Sequence, residues 1–186
     1  MKKNKIFFKN YITEFSQVID FNNQIIDQII KIKTILQKKS KNNKVLIFGN
    51  GGSAAISSHV SVDLTKNAGI KCINFNESDL ITCFSNDYGY ENWINKAVEF
   101  YSRKGDILIL VSVSGTSPNV VKAAKLAKKH GIKTIITLTG SKNKNNSLKK
   151  NGDINIWINS KSYNMVENAH QLILLMITDA IIKERK

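Results

Sequence analysis

Residues 45–53 read VLIFGNGGS: an apolar run passes directly into a glycine-rich turn, and residues 53–64 continue with a helical pattern. Gly49, Gly51 and Gly52 carry no Cβ, so the backbone can turn sharply there and approach a ligand closely. Ser53 is the expected N-cap of the helix, beside unpaired N–H groups and the positive end of the helix dipole. Such a junction suits an anion, phosphate above all. Further along, the apolar residues 107–111 lead into Ser112-Val-Ser114-Gly-Thr116-Ser117 ahead of another helix. One such turn is a weak signal, because any helix needs a cap. Two glycine- and hydroxyl-rich turns, each at a strand-to-helix junction, are a much stronger one.

Outward from these turns the chain alternates. Roughly the first forty residues carry apolar side chains at helical spacing, Phe8, Tyr11, Ile12, Phe15 and Val18 and then Ile25, Ile26, Ile29, Ile30 and Ile32, so one or two helices are expected there. Strands are expected over 45–48, 71–75, 107–111, 134–138 and 154–158. Helices are expected over 53–64, 79–85, 91–103, 118–130 and from 163 to the end. Residues 86–89 read as a polar turn. Pro118 after Ser117 opens one helix, and His130-Gly131 closes it. Strands alternating with helices predict a doubly wound α/β domain over 44–186, with a parallel five-stranded sheet covered on both faces. The helices of 1–43 are expected to pack on it. Ligands of such sheets gather at the carboxyl ends of the strands, where both turns lie.

The length suits one domain with a full core. The sequence shows no apolar run long enough to suggest a membrane span, no signal-peptide pattern, and two cysteines, Cys72 and Cys83, both read as reduced core residues. A cytoplasmic protein is expected. The net charge of +14 comes from lysines spread among many Asn and Ile residues, densest over 31–44 and 142–150. Aromatic residues do not interleave with them as a base-stacking platform requires, which argues for a basic surface favouring anionic substrates over nucleic-acid binding. The aromatic group Tyr88, Tyr90, Trp93, Phe100 and Tyr101 reads as subunit packing.

Several stretches resemble one family. GNGGSAA ahead of a helix, SNDYGYEN at 85–92, GDILILVSVSGTSPNVVKAAKLAKKHGIKTIITLTG at 105–140 and the helical C-terminus resemble the sugar isomerase (SIS) domain, and within it the phosphoheptose isomerases. The resemblance covers about residues 44–182. It implies a flavodoxin-like sheet and a homotetramer whose sites draw on neighbouring subunits. It also implies isomerisation of sedoheptulose 7-phosphate to an aldoheptose 7-phosphate for surface-polysaccharide heptose. The substrate-binding positions it implies are Asn50, Gly51, Ser53, Asn86, Asp87, Ser112, Ser114 and Ser117. Asn164 stands where the family has an acidic sugar-contacting residue.

The catalytic positions carry over less fully. For the family's His-x-x-x-Glu this chain has His59-Val-Ser-Val-Asp63, one turn apart on one helix face. Aligned through His170, the family's Gln is Glu167 and its catalytic His is Leu175, which can neither move a proton nor hold a metal. Isomerisation through an enediol needs a base and a proton shuttle. Asp63 or Glu167 is placed as base, and His59 or His170 as shuttle. Glu167 and His170, three apart, are expected on one face, and with His59 and Asp63 make a tentative zinc ligand set. Taken singly, His170 ahead of LILLMI reads as a packed histidine, and Glu167 as a carboxylate complementing a helix dipole. Asp63 in VSVDL would be costly to bury without a role. Two functions stand open: an isomerase using Asp63, Glu167 and His170, or a non-catalytic SIS protein that binds a sugar phosphate or a protein partner such as a replication initiator. Leu175 favours the second, and His59 with Asp63 the first.

Overall fold

The computed structural model describes residues 2–39, 42–132, 134–141 and 143–185. Ser40 and Lys41 of the first lysine cluster, Lys133 within the stretch 105–140, Lys142 of the second cluster and the two terminal residues lie outside the described residues. Two helices come first, α1 (Lys2–Val18) and α2 (Asn23–Lys39). They are followed by β1 (Val45–Phe48), α3 (Gly52–Lys66), β2 (Cys72–Ile73), α4 (Ser78–Tyr88) and a 3-10 turn at Tyr90–Asn92. Then come α5 (Trp93–Tyr101), β3 (Ile107–Ser112), α6 (Pro118–Lys129), β4 (Thr134–Thr139), β5 (Ile154–Trp157) and α7 (Tyr163–Lys183). The five strands are all parallel, as the alternation predicts, and stand in the order β2-β1-β3-β4-β5.

The sheet is buried on both faces, and the strand side chains alternate between two cores. Val45 and Ile47 of β1, Ile107, Ile109 and Val111 of β3, and Ile136 and Leu138 of β4 face a core closed by α2, α3 and α7. Leu46, Phe48, Leu108, Leu110 and Ile135 face the opposite core, closed by α5 and α6 with α4 at its margin. Each fully buried aliphatic residue contributes about 1.5–3 kcal/mol relative to exposure. This burial lets short, hydroxyl- and glycine-rich loops sit at the strand ends without carrying the stability of the fold.

Some local expectations change. Residues 86–89 do not form a polar turn, because α4 runs on through Asn86 and Asp87 and stops at Gly89, whose φ of 84° closes the helix. Cys83 therefore lies on an exposed face, not in the core; Cys72 is buried, and burial pushes its thiol up to about 12. Of the aromatic group only Trp93 belongs to the core. The sequence reading expects no membrane span; α7 is long and apolar enough, by length and composition alone, to cross one, and half of that span is buried inside the protein.

The lower edge of the sheet is pinned by a buried carboxylate. Asp106, 2 % exposed and just ahead of β3, accepts from the backbone N–H of Lys44 at 3.1 Å and of Arg103 at 2.8 Å, and pairs with Lys44 Nζ at 2.5 Å. It thereby ties the starts of β1 and β3, the two strands that carry the site. Asp106→Ala strands the Lys44 ammonium and two N–H groups, and should lower unfolding stability by about 3–5 kcal/mol in urea denaturation. A loss below about 1 kcal/mol would show that the pairing is solvated and weak.

Candidate active site

The site begins where β1 ends. A Cβ on Gly49 would overlap the Ser53 backbone, and Gly51 takes a φ of 54°, so both positions require glycine. This geometry starts α3 at Gly52, with Gly51 in the cap position and no side-chain cap. Ser53 is thus not the N-cap expected from sequence; it lies inside the first turn, 3 % exposed, with its side chain on the cleft. Asn50 is fixed by a reciprocal amide pair with Asn119 on α6, at 3.0 and 2.9 Å, and receives the Tyr90 hydroxyl at 3.3 Å.

The second turn is built the same way. Ser112 Oγ accepts from Gly115 N–H at 3.2 Å and lies 3.5 Å from Ser117 Oγ. Gly115 has a φ of 63° with the Asn146 side chain packed against it. Ser117 occupies the cap position of α6 as predicted, but its hydroxyl makes no cap bond and lines the cleft. Between the two turns lies a small cleft of about 140 Å³ bounded by Asn50, Ser53, Ser112, Ser114, Ser117 and Tyr163, with Glu167 at its edge. Two helix starts meet at this cleft, so their unpaired N–H groups and dipoles favour an anion there.

Glu167, in the second turn of α7, lies against Gly52 so closely that a methyl group there would overlap its carboxylate. The same carboxylate residue borders a second cavity of about 310 Å³ lined by Gly52, Ala55, Ile56, His59, Asn168 and Gln171. His59 Nε2 lies 3.2 Å from Asp63 Oδ2, and His59 Nδ1 lies 3.1 Å from Gln171 Nε2. Asp63 is not buried as the sequence suggested: its side chain is 27 % exposed and also accepts from Asn67 at 3.1 Å. The cost of burying it is therefore not incurred.

Other expected residues stand apart. His170 is wholly buried, with Nε2 3.1 Å from the Thr139 carbonyl and Nδ1 without a hydrogen-bond partner. Burial pushes its pKa down to about 4, so the ring is neutral at pH 7. It borders neither cavity. The spacing explains why: a residue three positions on is turned by about 60° from Glu167 in one sense, while one four positions on is turned by about 40° in the other. His170 is carried to β4, and Gln171 to α3. Asn86 and Asp87 lie exposed on the last turn of α4, bonded to each other at 3.0 Å, and line neither cavity. Asn164 is exposed, its carbonyl accepting from Asn168 at 2.8 Å; its neighbour Tyr163 faces the cleft instead. Leu175 packs against the core. Among the described residues no three His, Cys, Asp or Glu side chains converge to hold a metal ion, so the set His59, Asp63, Glu167 and His170 does not fit zinc as folded. Sequence reading missed Tyr163, Asn119 and Gln171. Only Gln171 left a signal, its four-residue spacing from Glu167.

The SIS domain model matches residues 7–140. The chain is 36% identical to the phosphoheptose isomerase of Fusobacterium nucleatum over 147 residues, 76% of this chain and 74% of that protein. It is 34% identical to that of Clostridium acetobutylicum over 171 residues, 87% and 84% of the two chains. The chain belongs to the SIS-domain family, among the phosphoheptose isomerases. The fold agrees: the structure of a phosphoheptose isomerase from Francisella tularensis superposes with a TM-score of 0.86 at 25% identity, covering 99% of both chains. That of Neisseria gonorrhoeae gives 0.84 at 24%, covering 97% of this chain and 99% of the other.

His170 gives a test independent of activity. Its folded-state pKa is lowered, so the unfolded chain binds more protons than the folded one between about pH 6.5 and pH 4. Stability should therefore fall as pH falls through that window. Between pH 7 and pH 5 the His170 contribution is about 2 kcal/mol, read as the difference in pH slope between the parent chain and His170→Gln. Equal slopes would mean the ring is not held neutral by burial.

Proposed function

We propose that this chain is an aldose–ketose isomerase that interconverts sedoheptulose 7-phosphate and an aldoheptose 7-phosphate; its relatives are named phosphoheptose isomerases. The observation that carries the reading is the position of Glu167, on the border between the anion-binding cleft and the His59 cavity. A phosphate held by Ser53, Ser112, Ser114, Ser117 and the first N–H groups of α3 and α6 would send the sugar chain past that carboxylate. Glu167 would take a proton from C1 of the ketose as the electrons form the C1–C2 double bond and O2 gains a proton, giving the enediol. Return of the Glu167 proton to C2, with loss of the O1 proton, gives the aldose. His59 would carry protons between the two oxygens, and Asp63 would stabilise its charged form. His170, closed into the core, has no part in this reading. Zinc has no step in it either, because its four proposed ligands do not converge.

The product suits heptose units of a surface polysaccharide, in a cytoplasmic enzyme. We infer a homotetramer as well; the exposed Ile6, Phe7, Phe8 and Ile12 of α1 support a partner surface on the N-terminal helices. Leu175 favours a second reading, a SIS protein that binds the sugar phosphate without converting it.

Incubating the purified chain with sedoheptulose 7-phosphate should yield aldoheptose phosphate by NMR. Thermal stabilisation by the sugar phosphate without conversion would establish the binding reading instead. Glu167→Gln should lower kcat by about 10²–10⁴-fold. Paired Ser114→Ala and Ser117→Ala changes should raise KM about a hundredfold or more and leave kcat nearly unchanged, since each removes a hydrogen bond to a charged group worth about 1.5–3 kcal/mol.

A further inference from the structure

A half-exposed histidine on a surface helix is free to rotate and to hold its proton on either nitrogen. His59, with 49 % of its side chain exposed, is such a residue. Asp63, one turn along the same helix, lies 3.2 Å from Nε2, but an exposed pair of this kind is worth little and would not fix the ring alone. The second anchor comes from a different element. Gln171 reaches from α7 to bring its amide nitrogen within 3.1 Å of His59 Nδ1. An amide NH₂ group only donates, so Nδ1 must be the unprotonated, accepting nitrogen. The ring hydrogen then sits on Nε2 and is donated to Asp63. The two contacts agree on one tautomer and give the chain a direction, from Gln171 through His59 to Asp63.

Gln171 and His59 both line the cavity that Glu167 borders, whereas Asp63 does not. We propose that Gln171 is the positioning residue of this site: it holds His59 in the Nε2–H tautomer and keeps the basic Nδ1 toward the cavity, ready for a substrate hydroxyl that displaces the amide. Asp63, on the far side of the ring, then faces the positive charge that forms when Nδ1 takes a proton. The catalytic consequence rests on the isomerase reading. The tautomer does not.

The test uses the full chain labelled with ¹⁵N and long-range ¹H–¹⁵N correlation of its histidine rings, with His59 assigned from the spectrum of His59→Gln. In the parent chain His59 should show a protonated Nε2 and an unprotonated Nδ1. Gln171→Ala should give an averaged mixture of tautomers, and Gln171→Glu, which replaces the donor by an acceptor while Asp63 still accepts at Nε2, should put a hydrogen on Nδ1 as well and favour the doubly protonated ring. The melting temperature of each variant shows whether the fold is kept. In the isomerase assay Gln171→Ala should lower kcat on the order of tenfold to a hundredfold, with KM changed less than about twofold. A folded Gln171→Ala chain that keeps the parent tautomer, or keeps the parent kcat, overturns the proposal. A parent chain with the fixed tautomer and no conversion of sedoheptulose 7-phosphate overturns the isomerase reading and leaves the positioning contact standing.

Discussion

A parallel strand can continue only through a crossover, and here the crossovers after β1 and β3 leave on opposite faces of the sheet. The helix after β1, α3, packs into one core and the helix after β3, α6, into the other. Because β1 and β3 are neighbours, the two chain turns part above their carboxyl ends and leave a crevice between them. Everything in the site follows from this divergence. The glycines at 49, 51 and 115 are needed because the backbone must turn within a few residues, and the serines fill the crevice because their hydroxyls can face an anion without widening it. The Asn50–Asn119 amide pair spans the crevice and fixes its width.

The chemistry is brought to that crevice by a third element. α7 lies along α3 on one face of the sheet and passes over the start of α3. Its helical phase sorts its polar residues: Glu167 and Gln171 face the two cavities, while His170 is turned into the core against Thr139. Gly52 is the meeting point, since only a residue without a Cβ lets the Glu167 carboxylate approach the first turn of α3. A carboxylate thus borders a cleft lined by serine hydroxyls and two helix starts and a cavity that holds a histidine with both ring nitrogens engaged. That combination is what proton transfer on a phosphorylated sugar requires.

The topology was legible because the alternation of apolar strands and amphipathic helices is a property of many residues at once. That the two turns line one cleft was legible because glycine and serine at a strand end have a local physical meaning. What escaped depends on phase and on distance along the chain. Ser53 reads as a cap, but two flexible glycines allow the helix to start one residue earlier. Glu167 and His170 read as partners at three-residue spacing, yet that spacing keeps Glu167 against α3 and turns His170 away into the core beside Thr139. Asn86 and Asp87 read as a turn because Asn-Asp favours one, and the helix of residues 78–88 overrides that local preference. Gln171 and Asn119 carry no chemical signature of their own; an amide becomes visible only when the fold places a histidine or another amide beside it. Asp63 reads as costly to bury from its apolar neighbours in sequence, yet its side chain is partly exposed because those neighbours point to other faces of the helix.

The central claim is that Glu167 is the base acting between the anion cleft and the His59 cavity. The most direct measurement is exchange of solvent deuterium into sedoheptulose 7-phosphate and its aldose, followed by NMR in D₂O for the parent chain and Glu167→Gln at equal protein concentration. The account predicts deuterium at the reacting carbons with the parent chain and none above background with the variant. Equal exchange by both chains would contradict it.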